Sequence, residues 1–361
     1  MLCSGIQSNL SYHKGASEMT VLFVGNTYKN TGPSNVNKAY KKHLEKKVAF
    51  LHFRCKPLLM LEIIAGVVRA SAIIISGLGY SSYVSAKLAK MLKKPVAYLM
   101  HGCYEHECKL NRVSPLPRDI GMESTIMEAA DQIVCVSERF AQWLSLRYPN
   151  YTEKITYINT GVDWESNLKN SEQNHNPMFI ITMGGGWPRK NNYIISEAVE
   201  HLNNVHNKNY RLFVLGSGGD DLDKIQRNPH TTVLGQVDGD EVKKHLKTCK
   251  LFVQNSIHES FSLGVIEALN SGCDILVSKG VGALSIFEDI EPNDVINDCM
   301  DVHEVATKIL YLSEHENNER IVNSIDKVAT SMEASANSLY DLAIGLIRKR
   351  QKEPSDSGYR F

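Results

Sequence analysis

Two carboxylates eight positions apart, Glu259 and Glu267, punctuate the stretch LFVQNSIHESFSLGVIEALNSGCDILVSKGVG that runs from Leu251 to Gly282. The stretch reads as a buried strand, a short loop, a helix, a Gly-containing turn, a second buried strand and a glycine loop. Glu259 falls in the loop directly after the first strand. Glu267 falls about two helical turns further on, inside an apolar helix. A carboxylate set among Val265, Ile266, Ala268 and Leu269 is costly to bury without a partner, which points to binding hydroxyls or a cation. A second stretch, ITMGGGWPRKNN, ends a strand in Gly184, Gly185 and Gly186 and places Arg189 and Lys190 where a helix begins. Glycines let backbone approach a phosphate, and the two cations supply countercharge. A third candidate is His101, at the end of the apolar strand Val96 to Met100.

Other chemistries find less support. His101, Cys103, His106 and Cys108 fall within eight residues and are all zinc-ligand types, but the spacing lacks paired Cys-x-x-Cys knuckles. The expected form of this segment is a loop over a cleft, with Glu105 and Glu107 meeting an acceptor. Neither a P-loop nor the GxGxxG dehydrogenase fingerprint with its following acid is present, so hydride transfer loses its main support.

The elements that must position these residues follow a β/α rhythm. Apolar, β-branched runs near 20–25, 47–53, 71–76, 95–100, 131–136 and 154–158 alternate with amphipathic stretches. The rhythm pauses between Thr160 and Pro177 and resumes with runs near 178–183, 210–215, 231–234, 250–254 and 274–278. A chain of 361 residues exceeds what one core usually organises. The expectation is two doubly wound domains, 19–165 and 166–350, whose ligand sites at the carboxyl ends of the strands face one crevice. Helices from about Val302 to Arg350 close the chain, the last expected to pack back on the first domain. Residues 1–18 and 351–361 are polar and patternless and read as a disordered leader and tail, with Met19 an alternative start.

Net charge is zero, yet residues 1–160 hold 20 basic and 11 acidic side chains, leaving 20 and 29 for the remainder. Between Lys38 and Lys94 the cations face only Glu45 and Glu62. A solvated helix face and a surface resting on anionic lipid both fit. Nucleic acid is disfavoured because no recognition motif accompanies the charge. Eight cysteines without framework spacing and no secretory leader imply reduced thiols and a cytosolic setting. The longest apolar stretch, Pro57 to Gly77, is broken by Glu62 and Arg69 and does not read as a spanning helix.

With these residues in view, the chain from Met19 onward resembles glycosyltransferase family 4, whose defining element is a Glu, seven residues, then Glu. The resemblance implies a retaining enzyme of the two-Rossmann GT-B fold that moves a sugar from a nucleotide-sugar. It places Glu259 by the donor sugar, Glu267 on the ribose hydroxyls, and the backbone amides of Phe261, Ser262 and Leu263 on the distal phosphate at a helix start. Lys190 matches the family's diphosphate-binding basic residue. Gly185 stands where many members have an arginine, with Arg189 as the substitute. His101 matches a strand-end His near the reacting sugar. The loop Asn30 to Ser34 resembles the family's first glycine loop, with Gly32 its point of closest approach to phosphate or acceptor. The family's Gly-Phe-Gly is here Ser260-Phe261-Ser262. The stretches Ala130 to Glu138, Asn159 to Asp163, Leu215 to Gly218 and Leu234-Gly235 resemble its fold markers.

The implied partners are a UDP-sugar in preference to a GDP-sugar, and a saccharide acceptor, lipid-linked, in surface polysaccharide assembly at the inner membrane face. No cofactor and no divalent metal are expected, since the two cations and a helix start would neutralise the leaving diphosphate. The rival readings are a non-catalytic GT-B subunit of a transferase complex and a GT-B sugar-nucleotide epimerase or phosphorylase.

Overall fold

In a computed structural model of the chain, residues 19–29, 31–164 and 175–352 are described. The expectations for the leader, for most of the tail, for Asn30 and for a boundary at 165/166 lie outside the described residues. The first half runs β1 (Val21–Gly25), α1 (Gly32–Leu44), β2 (Val48–Phe50), α2 (Lys56–Arg69), β3 (Ala72–Ser76), α3 (Tyr80–Met91), β4 (Val96–Met100), α4 (Tyr104–Leu110), α5 (Pro117–Ala129), β5 (Gln132–Cys135), α6 (Glu138–Arg147) and β6 (Ile155–Tyr157). The second runs β7 (Asn176–Met183), α7 (Asn192–His206), β8 (Arg211–Leu215), α8 (Leu222–Arg227), β9 (Thr231–Gly235), α9 (Gly239–Thr248), β10 (Cys249–Gln254), α10 (Leu263–Asn270), β11 (Asp274–Ser278), β12 (Val295–Ile296), α11 (Val302–Glu314), α12 (Asn318–Ser324) and α13 (Met332–Lys352).

The strands form two parallel six-stranded sheets, ordered β2-β1-β3-β4-β5-β6 and β12-β11-β10-β7-β8-β9. Parallel strands are covered on both faces, which is why β3 and β4 are continuous apolar runs with every residue buried. The α/β, doubly wound architecture expected from the rhythm of the sequence is the fold observed, in the GT-B form that the resemblance implied. The two-residue edge strand β12 is the one strand the rhythm missed, because it is too short to carry a period.

Because β1 leads to β2 on one side and β2 returns to β3 on the other, right-handed crossovers set α1 on one face of the first sheet and α2 and α3 on the opposite face. The basic segment between Lys38 and Lys94 is therefore not one surface: the sheet divides it. Helix α13 leaves the second sheet and packs beside α1 on the first. Tyr40 and Ser335 share a hydrogen bond of 2.8 Å there, and Arg350 pairs with Asp131 at 3.0 Å. The two halves also touch near the crevice, where Ser137 Oγ donates to the Ser260 carbonyl at 2.6 Å and Arg139 donates to the Lys279 carbonyl at 3.0 Å. Among the described residues no helix is long and apolar enough to cross a membrane.

Candidate active site

The carboxyl ends of β1, β3, β4 and β10 open on a cavity of about 820 Å³ whose wall includes Tyr28, Arg54, His101, Glu107, Arg189 and Glu259. This is the size range of small-molecule sites. Residues from both halves of the chain share it.

The second half contributes a knot of charge. Glu259 is fixed through its backbone: its amide donates to the Gly280 carbonyl, and its carbonyl accepts from Gly282, both at 2.9 Å. Arg189 Nη1 reaches Glu259 Oε2 at 2.9 Å and the His258 carbonyl at 2.9 Å, while Lys190 Nζ pairs with the same carboxylate oxygen. The two cations outweigh the effect of burial and hold the Glu259 carboxyl down at about 2. The spacing of the glycine stretch explains part of this arrangement. A side chain at Gly184, whose φ is +117°, would collide with the Lys190 stem, so the bare α-carbon lets Lys190 cross the strand end to reach Glu259.

Gly185 corrects an expectation. Its amide donates to the Leu215 carbonyl at 2.9 Å and its carbonyl accepts from Asn192 at 2.8 Å, so both groups are engaged in lacing the β7 and β8 loops together. Gly184 and Gly186 are similarly occupied, by Leu215 and Gly218. The glycine run serves loop packing and the path of Lys190, and presents no free amide to a phosphate.

Phe261 is buried, Ser262 is the residue before α10, and Leu263 opens that helix. No side chain caps it, so its first amides lack an intrahelical acceptor. Ser262 has φ +88°, in the left-handed region that favours glycine, which gives a physical reason for the glycine the family has at this place. Its hydroxyl donates to Gln254 at 3.2 Å. Glu267 is not buried as the apolar composition implied: α10 turns Val265, Ile266, Ala268 and Leu269 inward and leaves Glu267 exposed. Glu267 and Leu263 lie outside the cavity wall, and so does Lys190, which meets it through Glu259.

The first half contributes buried titratable groups whose charged forms burial disfavours. His101 Nε2 lies 2.8 Å from Ser76 Oγ, which donates to Asn37 Oδ1 at 2.6 Å, and Asn37 Nδ2 donates to the Asn26 carbonyl at 3.0 Å. With the serine hydrogen committed to Asn37, Nε2 must carry the proton and Nδ1 is left as the acceptor. Burial holds the imidazole pKa down at about 4, so the ring is neutral at pH 7. Glu107 sits on α4, which replaces the expected loop, and burial raises its carboxyl against the pull of Arg189. Glu105 is elsewhere: it pairs with Lys109 at 2.6 Å and Arg147 at 3.9 Å, off the cavity wall. Gly32 opens α1 with open space at its α-carbon, while its neighbours Thr31 and Pro33 line the cavity.

Sequence reasoning missed Glu123, Ser76 and Asn37. Glu123 lines the cavity, accepts from the Tyr104 amide at 3.1 Å, and is pushed up to about 7 by burial. A signal existed: Glu123 shares a helix face with the buried Ile126 and Met127, three and four residues on, as Asn37 does with Tyr40 and Leu44. Also missed was a cross-domain aromatic cluster, in which the His258 ring lies 4.9 Å from His106 and 4.6 Å from Trp143. The zinc alternative dissolves, because His101 turns to Ser76, Cys103 to Glu123 and Tyr148, and His106 to Trp143. Among the described residues no three metal-ligand side chains converge.

Three polar atoms around Glu259 are buried with no partner among the described residues: Arg189 Nε, His258 Nε2 and Ser260 Oγ. Each such atom costs on the order of 1–3 kcal/mol, and of the three residues Arg189 is the one on the cavity wall.

Comparison with known proteins is consistent with this geometry. Residues 29–166 match the family model described as Glycosyltransferase Family 4, and residues 164–327 match Glycosyl transferases group 1. No curated protein matches the chain by sequence. Among solved structures, Anabaena HepE in complex with UDP and glucose is 14% identical, with a TM-score of 0.62 over 92% of this chain and 98% of that one. Sucrose-phosphate synthase from Thermosynechococcus elongatus is 13% identical, with a TM-score of 0.65 over 92% and 100%. The lipopolysaccharide outer core galactosyltransferase WaaB is 14% identical, with a TM-score of 0.63 over 91% and 99%. At these identities the structures speak to the fold, and the two family models, meeting end to end over residues 29–327, speak to the lineage: the chain belongs to the GT-B glycosyltransferases of the group 1 and family 4 kind.

Proposed function

We propose that the protein transfers a sugar, with retention of anomeric configuration, from a UDP-sugar to a lipid-linked saccharide during surface polysaccharide assembly. The observation that carries the donor half of this reading is the Arg189–Glu259–Lys190 knot on the cavity wall, with Arg189 Nε buried and unpartnered. A diphosphate entering there gains two cations and the uncapped start of α10, and needs no divalent ion for countercharge. The Glu259 carboxylate, released from the cations, is then free to accept from donor-sugar hydroxyls. Glu267, exposed on α10, is available to the ribose. HepE, solved with UDP-glucose, supports uridine as the base, and WaaB, a lipopolysaccharide galactosyltransferase, supports a surface-polysaccharide acceptor.

Catalysis in this reading is positioning and charge stabilisation. The leaving diphosphate, held by Lys190 and Arg189, takes the acceptor's proton on the face from which it departs. His101 keeps a neutral ring against the sugar, and Glu107 meets the acceptor. The test is thermal unfolding of the protein with UDP, GDP, ADP and their sugars. A ligand at a hundred times its Kd adds about 2.7 kcal/mol, so UDP compounds should raise Tm by several degrees, and Lys190→Ala and Glu267→Ala should abolish the rise. A well-folded native protein that no nucleotide stabilises would instead be a non-catalytic subunit. Retention is read from the anomeric coupling of the product by NMR.

A further inference from the structure

Helix α2 has the wrong surface for water. Its inner stripe is ordinary: Ile63 and Val67 are fully buried against the first sheet. Its outer stripe is apolar as well. Leu58, Leu61, Ile64 and Val68 are 45%, 65%, 42% and 54% exposed, with exposed Pro57 and Ala65 between them and Phe53 just before. Spaced three and four residues apart, they form one continuous ridge along the whole helix. The single acid of α2, Glu62, is removed from that ridge: it accepts from the amides of His52 and Phe53 at 2.9 and 3.0 Å and pairs with the His52 ring at 3.0 Å. The ridge is bounded at one end by Arg54 and Lys56 and at the other by Arg69, all exposed, with exposed Lys87 on the adjoining helix α3.

We propose that this face of α2 lies in the interface of an anionic lipid bilayer, with the ridge among the acyl chains and the flanking cations at the headgroups. An apolar helix face with cations at its edges and no exposed acid is complementary to such a surface. Each cation held near an anionic membrane adds about five-fold to partitioning. The placement also serves the cavity. Leu51, Phe53, Arg54 and Leu59, from the start of α2 and the loop before it, form part of the cavity wall. The Arg54 guanidinium lies 4.2 Å over the Tyr28 ring, whose hydroxyl donates to the carbonyls of Leu51 and His52 at 3.1 and 2.9 Å, so this rim is braced. A lipid-linked acceptor with its tail beside α2 would present its saccharide through that rim, a step that rests on the transfer reading above. The earlier notion of a broad basic surface is thereby narrowed to one face of the first sheet, the face away from α1.

The experiment is co-sedimentation of the full chain with vesicles of phosphatidylcholine alone and with phosphatidylglycerol added. The expected result is at least ten-fold stronger binding to the anionic vesicles, weakened about ten-fold or more by Leu61→Ser with Ile64→Ser and Val68→Ser, and comparably by Lys56→Glu with Arg69→Glu. Because these side chains are exposed, thermal unfolding should be unchanged, which the same samples check. Lys42→Glu with Lys46→Glu, on the α1 side, should cost less than three-fold. Equal binding to both vesicle types, or full binding by the serine variant, would overturn the proposal. So would a native dimer that the serine variant turns into a monomer, since a second copy would then cover the ridge. Vesicle binding by a protein that no nucleotide stabilises supports this surface and sinks the donor reading, and the reverse pair of results does the opposite.

Discussion

The two walls of the cavity handle titratable groups in opposite ways. On the second-domain side the Glu259 carboxylate is held in its charged form and shared by Lys190 and Arg189, two cations against one acid. On the first-domain side His101, Glu107 and Glu123 sit where burial disfavours their charged forms, and the Ser76–Asn37 relay holds His101 in one tautomer. In the proposed reading the charged wall, with one cation in excess, exchanges its internal carboxylate for a diphosphate at little net cost in desolvation, and the buried groups opposite make the weaker hydrogen bonds of a sugar.

The strongest way to break the comparison is on the charged side. Lys190→Ala leaves Arg189 as the only cation on Glu259 and should lower kcat/KM for transfer by about a hundred-fold or more, as losses of preorganised charge stabilisation do. Initial rates of UDP release give the number, and a loss below about three-fold would mean the lysine is only a structural partner of Glu259. On the opposite side, His101→Asn should lower kcat by about ten- to a hundred-fold while the donor KM changes little, because the proposed reading sets the ring against the sugar and not the diphosphate. A change confined to KM would contradict that placement.

The buried titratable groups of the first-domain wall should also show in stability. A carboxyl raised to about 7 favours its protonated form in the fold, so the contribution of Glu123 is present below the ordinary carboxylate range and is lost as pH rises from about 4.5 through 7. His101 and His258, held at about 4 by burial, run the other way: their contribution is present above about 6.5 and is lost as pH falls toward 4. Glu123→Gln should therefore stabilise the protein by about 2 to 3 kcal/mol at pH 8 and much less at pH 4.5. Urea unfolding at the two pH values measures it, and an equal effect at both would refute the raised Glu123 carboxyl. The smallest effect is expected at Ser262. Glycine there relieves a left-handed φ but gives up the hydroxyl's bond to Gln254, for a net gain of less than about 1 kcal/mol by the same method. A loss of more than that would mean the serine's hydrogen bond outweighs the strain.

How much of this was legible beforehand follows from range. Strands and helices were legible because burial on both faces writes itself as local apolar runs such as Ala72 to Ser76. The loop carboxylate Glu259 and the cations after the glycines were legible because each sits at a strand end with a recognisable spacing. That Arg189 and Lys190 meet on one oxygen of Glu259, some seventy residues away, was not, since that contact depends on the relative placement of β7 and β10. Gly185 misled for a related reason: a glycine that packs loops and one that cradles phosphate look alike until its amide is traced to Leu215. Glu267 misled because an apolar composition does not say which face of α10 is inward. That the basic segment is not one surface was not legible, because a run contiguous in sequence does not show that a parallel sheet cuts it in two.

The measurement that bears most directly on the central claim, that Glu259 occupies the cations until a diphosphate claims them, is calorimetric titration of UDP into the native protein and into Glu259→Gln. The amide cannot hold Arg189 and Lys190 as a carboxylate does, so the account predicts UDP binding to the native protein and several-fold tighter binding to the variant, even as its transfer activity falls. Binding weakened by the substitution, or UDP binding to neither protein, would contradict it.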